Sequence, residues 1–155
     1  MSAKGGHVFI SYVRDDKSAV DALCAALEGE GIPVWRDIKS LWPGENWKRE
    51  IAQAIASSSL VFVPVFSKAS AAREKSYQNE EINLAIEEFR KMPLNKTWII
   101  PVRLSEVAVP AFQLRAGEQM GDLTRCDLFG RRRAESLQRL ITQLKTLVKT
   151  SLGSP

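Results

Sequence analysis

The run Leu60-Val61-Phe62-Val63-Pro64-Val65-Phe66 constrains this chain more than any other stretch. It is of strand length, apolar throughout and bounded by polar residues, so it reads as a strand buried on both faces. Such a strand needs helices above and below, which asks the flanking sequence to alternate strands with crossover helices. It does so. His7 to Tyr12 and Ile32 to Arg36 read as strands on either side of a helical stripe of Val20, Leu23, Cys24 and Leu27, with Asp15 or Asp16 as its cap and Gly29 and Gly31 bracketing its end. Asn46 can cap a second helix whose stripe is Trp47, Ile51, Ala54 and Ile55, which places Trp47 in the core. After the breaker Met92 to Lys96, Trp98 to Arg103 reads as a fourth strand, and Asp127 to Phe129 as a short last one. The closing helix carries Leu137, Leu140, Ile141, Leu144, Leu147 and Val148 at three- and four-residue steps. Leu104 to Cys126, with Pro110 and Gly117, has no clean period and reads as irregular. At 155 residues, 45% of them hydrophobic, the chain is one domain's worth. Residues 1–6 are expected to be a disordered lead-in, 7–150 the domain, and 151–155 a tail or the start of a linker.

A helix is expected to leave the carboxyl end of the central strand, the edge where open α/β sheets bind ligands. Within Ser67 to Phe89, the residues Ile82, Ala85, Ile86 and Phe89 share one stripe that must face the core. Glu80 then points almost opposite that stripe. Glu81 lies about a quarter turn from its centre at ~100° per residue, where a carboxylate can flank the core and still face a cleft. Tyr77 stands four residues earlier on the same flank. The pattern alone leaves two readings: a small-molecule site built on Tyr77 and Glu81, or a carboxylate rimming the core beside a tyrosine packed under a loop.

Other chemistries find little support. The charge balance is 22 Lys+Arg against 18 Asp+Glu, a formal +4, and the one dense cluster, Arg131-Arg132-Arg133, reads as a solvated helix start rather than a nucleic-acid footprint. Cys24 and Cys126 have no second ligand at metal spacing, and the single histidine, His7, makes a catalytic triad improbable, so no metal is expected. No run approaches the ~20 apolar residues of a membrane span, and a soluble, cytoplasmic protein with no membrane or nucleic-acid partner is expected. Asp37 to Glu45 forms the longest loop at the presumptive ligand edge, with Pro43-Gly44 as a turn. Trp42 in that loop has no core period and serves either recognition or packing of the loop over its own ring.

Taken together, Phe9-Ile10-Ser11-Tyr12, Val34-Trp35-Arg36-Asp37, Pro43-Gly44-Glu45-Asn46-Trp47, Val61 to Ser67 and Tyr77-Gln78-Asn79-Glu80-Glu81-Ile82 resemble a TIR (Toll/interleukin-1 receptor) domain of the bacterial kind. The resemblance spans Val8 to the last helix. It implies a flavodoxin-like fold, a central parallel sheet of about five strands with helices on both faces. A response-regulator receiver shares that architecture but would want an aspartate ending the third strand, where Ser67 follows Phe66.

The resemblance also implies an activity. In the enzymatic branch, a glutamate early in the helix after the third strand is required to cleave NAD+ at the nicotinamide–ribose bond, giving nicotinamide and ADP-ribose or a cyclic product. Glu81 holds that position. An aromatic, commonly tryptophan, precedes it by four residues, and here that residue is Tyr77. Ser11, Tyr12, Arg14, Arg36 and Asp37 would border the nucleotide, Arg14 neutralising diphosphate, though each could serve loop packing or salt bridging instead. Trp42 would contribute from the long loop, the family's "BB loop". NAD+ is then a substrate, no resident cofactor is needed, and activation by self-association with other TIR domains is expected, in bacterial defence or signalling. The competing expectation is a non-enzymatic adaptor that works through TIR–TIR contacts.

Overall fold

The structure, a computed structural model, describes residues 7–36, 43–44, 46, 49, 52–55, 59–73, 76–94 and 96–153, except for the side chains of 59, 77 and 150–153. In chain order its elements are β1 (His7–Ser11), α1 (Lys17–Gly29), β2 (Val34–Arg36), β3 (Ser59–Phe66), α2 (Lys68–Ala71), α3 (Tyr77–Phe89), β4 (Val102–Arg103), β5 (Gln113–Arg115), β6 (Glu118–Gln119), β7 (Cys126–Asp127) and α4 (Arg133–Gly153). Five strands form one sheet in the order β2-β1-β3-β4-β7, every neighbouring pair parallel. That is the flavodoxin-like order, and the expected fold is the one observed.

The central strand explains the layering. Val61, Val63 and Val65 point into a core with Val8 and Ile10, closed by α1 through Val20, Leu23, Cys24 and Leu27 and by α4 through Leu140, Ile141 and Leu144. Phe62 and Phe66 point the other way, into a core with Phe9 closed by Ile82, Ala85, Ile86 and Phe89 of α3 together with Ile55, Trp98, Leu114 and Met120. Side chains alternate along a strand, so an unbroken apolar run fills two cores at once. On the aromatic face the rings form a row across the sheet: Trp35 to Phe9 at 4.9 Å, Phe9 to Phe62 at 5.4 Å and Phe62 to Trp98 at 6.1 Å between centroids. The predicted core position Trp47 lies outside the described residues.

Several boundaries differ from expectation for identifiable reasons. The expected continuous helix after β3 is two helices, because two serines each start one. Ser67 Oγ accepts from the Ser70 amide at 3.0 Å while Ser70 Oγ accepts from the Ser67 amide at 2.8 Å, a reciprocal cap on α2. Ser76 Oγ then accepts from the Asn79 amide at 3.2 Å and starts α3 afresh. The fourth strand is shortened to Val102–Arg103, with Ile99 bridging Phe62 earlier in the same register. That register sets Pro101 opposite Pro64, and neither can donate to the ladder. α4 continues through Gly153, beyond the boundary drawn at residue 150.

The segment read as irregular contains an antiparallel hairpin, β5 and β6, turned at Gly117, whose φ of 78° is the left-handed conformation that glycine tolerates. Two arginines clasp it to the end of α3. Arg90 donates to the carbonyls of Leu114 and Gln113 at 2.6 and 2.8 Å, and Arg115 donates to those of Phe89 and Met92, both at 2.8 Å. Arg115 thus adds a second donor to the Phe89 carbonyl, which also accepts from the Met92 amide at 3.0 Å.

Candidate functional site

The carboxyl ends of β1 and β3 and the first turns of α3 converge on one buried polar cluster. Ser11, the last residue of β1, is fully buried, and its Oγ donates to Glu81 Oε1 at 2.7 Å. Glu81 is only 6% exposed, whereas Glu80 beside it is exposed. The helical wheel therefore separated the two glutamates correctly: Ile82, Ala85, Ile86 and Phe89 are all buried and Glu81 sits on their flank. Gln78, one turn before Glu81 and 4% exposed, donates both hydrogens of its carboxamide, to the Ser11 carbonyl at 3.0 Å and the Val65 carbonyl at 2.7 Å. Sequence reasoning did not single out Gln78. Its one detectable signal was its place on the same helix flank as Glu81.

Around this cluster the loops are stitched to one another. Asp16 was a candidate cap for α1, but it makes no cap bond, and its carboxylate instead accepts from Ser67 Oγ at 2.6 Å. Asp15 pairs with Arg73 beyond α2, and the hydrogen bond from that guanidinium holds its carboxyl below the usual range. The turn after β1 is thus fastened to the segment after β3. Arg14, in the same turn, is exposed and has no carboxylate partner among the described residues. Tyr12 is half-buried, with the Arg36 guanidinium 6.0 Å from its ring centre. Arg36 is also engaged on the flank of α1, where its Nη1 lies 2.6 Å from Asp21 Oδ1. Lys17 and Arg36 together keep the Asp21 carboxyl below its ordinary pKa. For Arg36, then, the structure displays the salt bridging that the sequence left open.

The structure brings Ser11 and Glu81 into contact and sets Tyr12 and Arg14 next in the chain. Asp37 and Trp42 lie outside the described residues; Tyr77 opens α3, with its side chain also outside them. A groove of about 730 Å³ lies away from this cluster, where Trp98 to Ile100 and Thr124 to Cys126 run into β4 and β7 beside α4; Glu81 and Ser11 do not line it. Cys126, on its wall, is held neutral by burial, which pushes its thiol up to about 11, so it is no nucleophile. Among the described residues no cluster of histidine, cysteine or acidic side chains could hold a metal ion, and no helix is long and apolar enough to cross a membrane.

Comparison with known proteins adds a family model, described as the TIR domain, that matches residues 8–141. The uncharacterized protein y4cD of Sinorhizobium fredii is 30% identical over 123 residues, which cover 79% of this chain and 18% of that protein. Among solved structures, the TIR domain of the Toll-related receptor TRR-2 from Hydra magnipapillata superposes with a TM-score of 0.69 at 20% identity, over 90% of this chain and 98% of that one. The TIR domains of the activated Roq1 resistosome, which directly recognizes the pathogen effector XopQ, superpose at 0.53 with 22% identity, over 96% and 85%. A metazoan TIR-STING receptor from C. gigas does so at 0.53 with 21% identity, over 97% of this chain and 41% of that one. Likeness at such identities is likeness of fold.

Proposed function

Because the chain belongs to the TIR domain family, we propose that it is an NAD+ hydrolase that cleaves the nicotinamide–ribose bond at Glu81. The observation that supports this reading most is the carboxylate itself, buried at the ligand edge of a parallel sheet and held at 2.7 Å by the Ser11 hydroxyl. Scission of the C1′–N bond sends its electron pair to a cationic ring, which leaves as neutral nicotinamide, so no general acid is required. The remaining ribose resembles an oxocarbenium ion, which one fixed carboxylate can stabilise or whose hydroxyls it can orient. Water then adds at C1′ to give ADP-ribose, or an adenine ring nitrogen of the same molecule attacks and gives a cyclic product. Arg14, exposed on the turn after β1, would meet the diphosphate. Tyr77 would stack on the substrate, and Asp37 and Trp42 would complete its border from the loop after β2.

Purified protein incubated with NAD+ and followed by chromatography for nicotinamide tests this directly. Glu81→Gln should abolish release while the melting temperature changes little, and Glu80→Gln should be nearly silent. A reversed pattern, with Glu80 essential, would overturn the assignment.

The burial of Glu81, at 6% exposure, favours a second reading, in which the Ser11–Glu81 bond is structural and the domain is an adaptor acting through contacts with other TIR domains. That reading expects no nicotinamide at any protein concentration and a clear loss of stability in Glu81→Gln. Defence or immune signalling suits either reading.

A further inference from the structure

We propose that Gln78 is a positioning residue for the Glu81 carboxylate and that it acts through Ser11; this rests on the NAD+-cleaving reading only for its kinetic arm. Both partners of the Gln78 carboxamide nitrogen are carbonyl oxygens, which only accept, so the nitrogen must face them and the two N–H bonds are both spent there. One carbonyl belongs to Ser11 at the end of β1, the other to Val65 near the end of β3. Ser11 closes β1 in register with Pro64 of β3, and Val65 is the next residue along, so the two carbonyls lie at the same end of neighbouring parallel strands. The glutamine bridges the two strand ends with its two donors and fixes their separation and rotation. Ser11's peptide orientation then sets the direction of its Oγ, and that hydroxyl holds Glu81 Oε1 at 2.7 Å.

The residue type is demanded by this task. Asparagine is a methylene too short to span to both carbonyls from the helix. Glutamate would press a carboxylate against two acceptors. Methionine matches the shape and length but donates nothing. The arrangement also closes on itself: Gln78 and Glu81 are three residues apart on one helix face, so the same turn of α3 both grips β1 and receives the hydroxyl that β1 presents. Gln78 is 4% exposed and Ser11 fully buried, so water does not readily replace either bond.

The test is a double-mutant cycle with Gln78→Met and Ser11→Ala, read by the kinetics of NAD+ cleavage and by crystal structures. Misplacing a catalytic group by about 1 Å costs on the order of 10²-fold, so each single variant should lose that much kcat with KM within about twofold of the parent. Since Gln78 acts through Ser11, the double variant should lose no more than either single one; losses that multiply would show Gln78 acting elsewhere and overturn the proposal. The crystal structure of Gln78→Met should show the contact between Ser11 Oγ and Glu81 Oε1 broken or lengthened with the sheet intact, and a contact kept at 2.7 Å overturns it also. This structural arm decides even if the parent protein releases no nicotinamide, in which case the NAD+ reading alone falls. Should Gln78→Met fail to fold, Gln78→Asn, which keeps the amide but shortens its reach, takes its place in every arm with the same expected and overturning results.

Discussion

Glu80 and Glu81 stand about 100° apart around one helix, and that rotation separates an exposed carboxylate from a buried one. The helical period made the distinction legible from sequence alone, because it needs only local geometry. Ser11 and Gln78 show where such reasoning stops. The Ser11–Glu81 bond joins residues 70 apart in sequence, and the Gln78–Ser11 bond residues 67 apart, so only the assembled sheet reveals either partner. Asp16 teaches the same point in reverse: it occupies the N-cap position, yet its carboxylate accepts from Ser67 instead. At this scale His7 carries a separate prediction. It is buried beside Trp35 at the start of β1, its Nε2 makes no hydrogen bond among the described residues, and burial lowers its pKa from 6.5. Between that lowered value and 6.5 the unfolded chain binds more protons than the folded one, so stability should fall as pH drops through this window. Melting temperatures taken from about pH 7.5 down to about pH 5 should decline for the parent and stay flatter for His7→Phe, if that burial is the cause.

Elements were legible where their residues carried a strong period, and α1, α3, α4 and the central strand fall in that class. The β5–β6 hairpin was not, since its strands are three and two residues long and only Leu114 among them is buried. The break between α2 and α3 was not legible because the apolar stripe begins only at Ile82, and the polar stretch before it has no period to show where one helix ends and the next begins. Two predictions belong here. Phe62 sits in the middle of the aromatic row, so Phe62→Ala should cost about 3–5 kcal/mol in denaturant unfolding. Arg103, 9% exposed at the end of β4, donates to both oxygens of Asp127 on β7 at 2.7 and 2.8 Å and to the Val107 carbonyl at 2.7 Å. This guanidinium depresses the Asp127 carboxyl, so its contribution is present above the ordinary aspartate range and lost as pH falls through the lowered value. Asp127→Ala strands the arginine and should cost roughly 3 kcal/mol near neutral pH, the low end for unpairing a buried charge because the aspartate side chain is one-third exposed. Repeating the measurement in acid should shrink the difference between variant and parent.

Across the whole molecule, the alternation of strands and helices announced a parallel sheet, and the sheet's order places the candidate site at the ends of two neighbouring strands, β1 and β3. Trp42 and most of its loop lie outside the described residues, and the proposal that the domain gains activity by self-association concerns that loop. Head-to-tail pairing of unlike surfaces does not close on itself, so specific activity should rise with protein concentration as larger species appear in sedimentation, and Trp42→Ala should blunt the rise without lowering the melting temperature. Constant turnover per molecule from nanomolar to high micromolar protein, with unchanged sedimentation, would show a site complete within one chain. The layering described above bears also on how the protein is made. One face of the sheet is shared between α1 and α4, so Leu140, Ile141 and Leu144 cover strands synthesised at the opposite end of the chain. β1 cannot pair with β3 until Phe66 has left the ribosome, and the apolar face they build stays half bare until α4 follows. Such long-range closure is slow and leaves an adhesive intermediate. Ribosome-bound chains released only as far as Arg133 should therefore remain protease-sensitive and engage holding chaperones, and resistance should arrive in one step once Leu144 emerges.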